Sequence, residues 1–253
     1  MFIIAEGDLP ICLLAHMDTV FKYPPKSFYY DQEQATLWSP HGLGADDRAG
    51  IMVIMELIDR GYRPHIILTD LEERGGLGAN YLISRFPDCP FKECKALIQL
   101  DRQGKDDAVY YECGNEEFEK LITSYDFITE IGSFSDISII APQWEIAAVN
   151  LSVGYEREHT YTETLNIIWM NETIDKVERM LKECKEWNSY SYIPIVYDNN
   201  NLFNFGADGK CTCCNQIYNA SDLNWYSCTG KAVDAFPICN KCYEEYFGSP
   251  EDE

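Results

Sequence analysis

The sequence predicts an α/β fold: a three-layer sandwich of a mixed, mostly parallel sheet with helices on both faces, plus a small C-terminal zinc-ribbon-like module. Three observations carry this. Short apolar runs bounded by turn signals alternate with helical periodicity through the first three quarters of the chain, as in sheets covered by helices. The first two runs, 2–6 and 10–15, flank Gly7-Asp8 and read as a hairpin, which makes the sheet mixed. Cysteine density then rises abruptly from Cys211.

In order, 47–61 reads as a helix, with Ile51, Ile54, Met55 and Ile58 on one face and Gly61 closing it. A strand at 65–68 precedes a helix at 77–85. Strands follow at 96–100 and 108–111, then a helix at 116–123 and a strand at 146–153. Asn171 is expected to cap an amphipathic helix to 187, with Ile174, Val177, Leu181 and Cys184 on its apolar stripe. Residues 188–210, rich in Tyr, Asn and Ser, read as a linker. The expected organisation is a main domain over 1–187, a linker over 188–210 and the zinc-ribbon-like module over 211–253.

At 253 residues the chain can bury one core and carry a small appendage. A formal charge of −22 argues against binding nucleic acid or an anionic membrane, since both need a positive field. Met1-Phe2-Ile3-Ile4-Ala5 is too short for a signal-peptide core, and no apolar stretch approaches membrane length. A cytoplasmic setting follows as the expectation, and there the 11 cysteines read as thiols or zinc ligands rather than disulfides.

Metal-friendly side chains sit just past the apolar runs: His16 and Asp18, Glu72 and Glu73, Asp101, and His159. In open α/β sheets, function gathers outside the carboxyl ends of the strands, so these groups can converge. Asp46, in Gly42-Leu43-Gly44-Ala45-Asp46-Asp47-Arg48, brings the set to enough hard ligands for two metal ions. His16 and Asp18 are two apart and point the same way; His16 would ligate while Asp18 orients its ring. One of the adjacent Glu72 and Glu73 can bind metal while the other stays free as a base. Asp101 ends an apolar strand, where an unpaired charge would be costly. One of Asp46 and Asp47 serves as a helix cap. Of the 4 histidines, His65 at a strand start reads as structural, and His41 lies in the loop before Asp46.

The ordered motifs His16-Met-Asp-Thr-Val, Gly44-Ala-Asp-Asp-Arg-Ala-Gly, Glu72-Glu73, Asp101 and Gly154-Tyr-Glu-Arg-Glu-His159 resemble the co-catalytic di-zinc exopeptidases. That superfamily includes peptidase T, carboxypeptidase G-type enzymes and bacterial zinc aminopeptidases. The resemblance spans 1–187. It implies that Asp46 bridges two zinc ions, that His16 and Asp101 complete one site, and that Glu73 and His159 complete the other. It further implies that Glu72 is the general base acting on a metal-bridging water and that Asp18 orients His16. Cobalt or manganese could replace zinc. Arg48 stands where many relatives carry Lys. The span from Asp101 to His159 is too short for the lid or dimerisation domain of peptidase T and carboxypeptidase G relatives, and the helical region that usually precedes the His-x-Asp strand is missing. The layout is that of a lidless aminopeptidase.

The expected function is a di-zinc metallopeptidase of aminopeptidase type acting on small peptides. The alternatives are an N-acyl amino acid deacylase using the same metals and an inactive binding protein that keeps the fold. Asp136, in Ser133-Phe-Ser-Asp-Ile, either contributes to an acidic pocket for a substrate α-amine or caps a helix. In the tail, Cys211/Cys214 and Cys239/Cys242 form two C-x-x-C pairs suited to a closed tetrahedral structural zinc site. Cys213 could replace a ligand, and Cys228 could bind or stay free. The tail is not basic, so a protein partner or the catalytic domain is the expected contact rather than DNA. Cys12, Cys89, Cys94, Cys113 and Cys184 read as packing residues.

Overall fold

The computed structural model describes residues 1–195 and, beyond them, 208–210, 217–219, 223–227, 235–239 and 241. The chain divides into two compact units, Met1–Ile195 and Val196–Glu253.

The first unit is built on a seven-stranded sheet: β1 (Phe2–Ala5), β2 (Leu9–His16), β5 (Pro64–Thr69), β6 (Ala96–Arg102), β7 (Asp107–Val109), β8 (Ile128–Glu130) and β9 (Ala148–Ser152). Their spatial order is β1-β5-β2-β6-β9-β7-β8. β5, β2, β6 and β9 run parallel to one another, while β1 is antiparallel to β5 and β7 antiparallel to β9. The apolar runs of β2, β6 and β9 are buried on both faces, as central parallel strands require.

The expected hairpin of the first two runs does not form. β1 pairs with β5, and β5 lies between β1 and β2. The start of β5 runs beside Gly7: a Cβ there would sit 2.2 Å from the Arg63 carbonyl oxygen, so the two runs straddle that segment instead of meeting. β1 alternates in burial as an edge strand does, whereas β2 has a parallel partner on each side.

Helices α1 (Ala45–Asp59), α3 (Glu116–Thr123) and α5 (Ile167–Glu183) pack into one core layer through Val53, Leu57, Phe118, Ile122, Ile174 and Val177. α2 (Leu77–Arg85) and α4 (Ile137–Trp144) form the other, around Leu82, Ile137 and Ile140. The sandwich is therefore three-layered. α5 begins five residues earlier than expected: Asn166, not Asn171, is its cap, accepting the N–H groups of Ile168 and Trp169 at 3.0 and 3.1 Å.

A second sheet, antiparallel throughout, has the order β10-β11-β4-β3, from β3 (Tyr29–Asp31), β4 (Thr36–Trp38), β10 (Tyr155–Glu156) and β11 (Thr164–Asn166). The loop between β10 and β11 carries His159. Residues 188–195, read from sequence as the start of a linker, belong to the first unit: Ala147 N–H bonds the Tyr190 carbonyl, Tyr192 N–H the Glu145 carbonyl and Gly114 N–H the Ile193 carbonyl.

In the second unit, β12 (Asp208–Lys210) pairs antiparallel with β13 (Ile217–Asn219), and β14 (Leu223–Ser227) with β15 (Ala235–Cys239). Cys211, Cys213, Cys214, Cys228 and Cys242 lie outside the described residues, and of Cys239 only its place at the end of β15 is described.

Candidate metal centre

The sheet order explains why residues distant in sequence meet. β5, β2, β6 and β9 are adjacent and parallel, so their carboxyl ends share one rim. His16 ends β2; Glu72 and Glu73 sit in a 3-10 turn (Glu72–Arg74) just past β5; Asp101 is near the end of β6; His159 follows β9 and β10. Asp46 enters this rim from the non-helical start of α1.

Asp46 is the pivot. Its Oδ1 lies 2.9 Å from His16 Nε2, and its Oδ2 lies 3.1 Å from His159 Nε2. Around the first oxygen, Asp101 Oδ1 stands 3.5 Å from His16 Nε2. Around the second, Glu73 Oε2 stands 2.8 Å from His159 Nε2. One carboxylate thus faces two imidazoles, each with a further carboxylate of its own. Asp18 Oδ1 stands 3.3 Å from the other His16 ring nitrogen, Nδ1. The Asp18 carboxylate also receives the backbone N–H groups of Glu72 and Glu73 at 3.1 and 3.3 Å, so it joins the β2 end to the glutamate turn.

The adjacent aspartates divide their work. Asp46 and Asp47 are joined by a cis peptide, and both depart from helical geometry, so regular helix begins only at Arg48. Asp47, fully buried, accepts the Gly50 N–H at 3.0 Å as a helix cap and the His16 N–H at 3.1 Å. Asp46 is left to face the imidazoles. Asp101 is fixed by Gln99 Nε2 at 3.0 Å and Ser135 Oγ at 3.4 Å on Oδ2, and by the Tyr155 hydroxyl at 3.2 Å on Oδ1. Asn150 accepts the Asp101 N–H and donates to its carbonyl.

Electrostatics reflect this crowding. Burial alone would raise the Asp46 pKa, but hydrogen bonds from His159 and His16 hold it far below the usual carboxylate range. Burial disfavours a charged His16, yet Asp101, Asp18 and Asp46 override it and keep its pKa well above normal. The Asp46 hydrogen bond is the main reason that His159 is raised to about 9. Burial, with Asp101 beside it, lifts Glu72 to about 8. Burial also lifts Asp101 to about 7, and raises Glu73 with help from Asp46.

The residues fit metal ions. Ligand atoms of His16, Asp46 and Glu73 lie within 4.8 Å of one another, as do those of His16, Asp47 and Asp101. Asp47 spends its oxygens on backbone N–H groups, which leaves Asp46 the better donor. Glu73 Oε1 is buried without a hydrogen-bond partner among the described residues, a costly arrangement that a cation would relieve. Imidazole with carboxylate is a donor set suited to zinc and its first-row neighbours.

Residues 4–130 match the peptidase family M28, just over half of the chain. The chain belongs to peptidase family M28. The matched span contains His16, Asp18, Asp46, Glu72, Glu73 and Asp101; His159 lies beyond it. The alkaline phosphatase isozyme conversion protein of Escherichia coli (strain K12) is 34% identical over 119 residues, covering 43% of this chain and 33% of that relative. The chain thus aligns with only about a third of the length of this curated relative. Among solved structures, a tripeptidase from Staphylococcus aureus superposes with a TM-score of 0.57 at 16% identity, covering 74% of this chain and 84% of that one. The aminopeptidase PepT of Bacillus cereus superposes at 0.54 and 17% identity, covering 73% and 84%. These likenesses establish the shared fold.

The structure also locates the remaining candidates. His41 is exposed, and its backbone N–H bonds Ser39. His65 is buried at the opposite end of β5, accepting the Gly7 N–H on Nδ1 and stacking on Phe91 at 4.4 Å. Asp136 stands at the start of α4 but its side chain makes no capping bond; it bonds the Thr69 hydroxyl, its other oxygen is buried without a partner among the described residues, and burial raises its pKa to about 6. Sequence reading missed the orienting groups Gln99, Ser135 and Tyr155, together with Glu163, which is buried and accepts the N–H groups of Gly44 and Asp46. The Gln99-x-Asp101 alternation along β6 was the available signal for the first of these.

Proposed function

We propose that this M28 chain is a di-zinc metallopeptidase of the aminopeptidase type that cleaves small peptides, with His16 and Asp101 holding one ion, Glu73 and His159 the other, and Asp46 bridging them. The observation that carries this reading is the Asp46 carboxylate, one oxygen at 2.9 Å from His16 and the other at 3.1 Å from His159. When bound, a zinc pair supplies Lewis acidity, polarising a scissile carbonyl and making water acidic near neutral pH. Cobalt or manganese would substitute.

The chain's own residues do the rest. Glu72 is excluded from both imidazole pairs, and burial makes it a stronger base than an ordinary glutamate. It takes the proton of the attacking water on a carboxylate oxygen and delivers it to the leaving amine nitrogen. Asp18 holds the His16 ring and the Glu72–Glu73 turn in one orientation. The buried carboxylates, Asp136 among them, form a negative field that favours a protonated α-amine at the substrate's first residue.

We place four cysteines, Cys211, Cys214, Cys239 and Cys242, on a third, structural zinc. Support comes from the spacing of the pairs and from their positions in the chain, the first between the paired strands β12 and β13 and the second at the end of β15. A reducing, cytoplasmic setting is part of this proposal, with Cys12, Cys89, Cys94, Cys113 and Cys184 as thiols. No helix among the described residues is long and apolar enough to cross a membrane.

The test is to offer zinc-loaded protein short peptides with free N-termini, the same peptides acetylated, and N-acyl amino acids. Release of the first residue, with kcat/KM falling sharply on acetylation, is expected. Equal or faster hydrolysis of the acylated series would establish the deacylase alternative, and turnover of none would establish a binding protein.

A further inference from the structure

Glu163 stands outside every motif that marked the site, yet it is only 1% exposed. Its carboxylate faces the turn that leads into Asp46. Oε2 accepts the Gly44 N–H and Oε1 accepts the Asp46 N–H at 3.1 Å, so the carboxylate spans both ends of the Gly44-Ala45-Asp46 turn. Nearby N–H groups converge on one anion only where the chain curls, and Gly44, at φ 63°, supplies that curl.

The other end of this contact matters as much. Glu163 closes the loop that carries His159. The His159 side chain is 51% exposed and its backbone is left-handed, at φ 63°, so burial does not hold it. Its Nε2 contacts are Asp46 and Glu73. The loop is pinned at its start by the Tyr155 hydroxyl on Asp101, and at its end by Glu163 on the backbone of Asp46 itself. The Asp101 side of the centre has separate supports in Gln99 and Ser135.

We propose that Glu163 is a positioning residue for one half of the centre: it ties the His159 loop to the Asp46 turn, so that His159, Glu73 and the second oxygen of Asp46 meet at one point. This rests on the two-metal reading above. A glutamine would keep the shape but turn an NH₂ group toward a backbone N–H. An aspartate would keep the charge and fall one methylene short.

The test strips the full chain of metal and titrates it with Co²⁺, followed by absorption, and with Zn²⁺, followed by calorimetry. Thiolate-ligated cobalt has its own charge-transfer bands, so uptake by the cysteine module is counted apart. Wild type should take two equivalents at the histidine–carboxylate centre. Glu163→Gln should weaken the equivalent held by His159 about 10- to 100-fold, the usual scale for groups that orient a ligand, and weaken the other, which shares Asp46 but keeps its supports in Gln99 and Ser135, clearly less. Glu163→Asp should recover part of the loss, and carries the test if the glutamine variant does not fold. His159→Ala should weaken the same equivalent, and the double variant should be no weaker than His159→Ala alone. Two unchanged equivalents, equal weakening of both, or additive losses with His159→Ala would overturn the proposal. Wild type taking up fewer than two such equivalents would remove the two-metal reading itself, and the proposal with it.

Discussion

Asp18 Oδ1 stands 3.3 Å from His16 Nδ1, and the same carboxylate receives the backbone N–H groups of Glu72 and Glu73. One side chain therefore contacts both the His16 ring and the turn that carries Glu72 and Glu73. Removing its charge should disturb both. Asp18→Asn is expected to weaken zinc binding about 10- to 100-fold and to lower kcat even when zinc is restored. Zinc affinity and kcat measured on the same preparation check this. A variant with wild-type values for both would show that Asp18 orients nothing.

Glu72 and Glu73 are neighbours with different surroundings: Glu73 Oε2 lies 2.8 Å from His159, whereas Glu72 has no imidazole partner. Glu72→Gln should therefore abolish turnover while bound zinc stays near wild type, with kcat falling about 10²- to 10⁴-fold. Metal analysis beside the activity assay decides it. Loss of a zinc equivalent on this substitution would make Glu72 a ligand.

Metal uptake should release protons. His159 is raised to about 9, and His16 is held well above its ordinary value, so both rings are protonated in the metal-free protein at pH 7. A ligating imidazole must be neutral. Lowering the pH keeps the competing protons on, so zinc affinity should fall with acidification and rise toward pH 9. Calorimetry at pH 7 in buffers of different ionisation enthalpy should show net proton release; zero release would mean that the rings are neutral before metal arrives.

How much of this was legible in the sequence depends on what each residue does. His16, Asp101 and the glutamate pair follow apolar runs, and central parallel strands must be apolar on both faces, so strand ends announced the rim. Asp46 was legible as the candidate ligand, but which of Asp46 and Asp47 caps the helix was not, because that depends on the backbone between them. The β1–β2 pairing was misread because Gly7-Asp8 looks like a hairpin turn; only the approach of Arg63 and Pro64 excludes it. β3, β4, β10 and β11 are two or three residues long and carry no period to detect. α4 reads Ile-Ser-Ile-Ile-Ala-Pro, β-branched and with proline inside, against helix propensity. Glu163 lies in a polar run, Thr160-Tyr-Thr-Glu-Thr, where nothing local distinguishes a buried anchor from a solvated side chain.

Full loading should give about three zinc ions per chain, two in the histidine–carboxylate centre and one in the cysteine module. Cys239→Ser should remove one equivalent and loosen residues 211–253 to proteolysis while leaving the other two ions and peptide turnover in place. Unchanged metal content in that variant would remove the cysteine site.

Gly50 offers a test of how the centre is coupled to packing. It lies in α1, against β6, where an added Cβ would meet the Leu100 carbonyl oxygen at 1.8 Å and the Asp47 carboxylate at 2.5 Å. Neither neighbour can yield freely: Leu100 is in the middle of the sheet, and Asp47 is committed to the N–H groups of Gly50 and His16. Gly50→Ala must push α1 away from β6. The helix gains propensity from alanine, worth about 1 kcal/mol, but overpacking a tight core costs about 1–3 kcal/mol, and here the intruded atoms are backbone and a bonded carboxylate, so the loss should win. The displacement acts beside Asp101 and on the cap next to Asp46, so zinc affinity should fall along with stability. Urea unfolding of the metal-free variant and zinc titration of the same protein measure the two effects. Undiminished stability would mean that α1 and β6 do not approach this closely; lowered stability with unchanged zinc affinity would mean that the centre is insulated from the helix behind it.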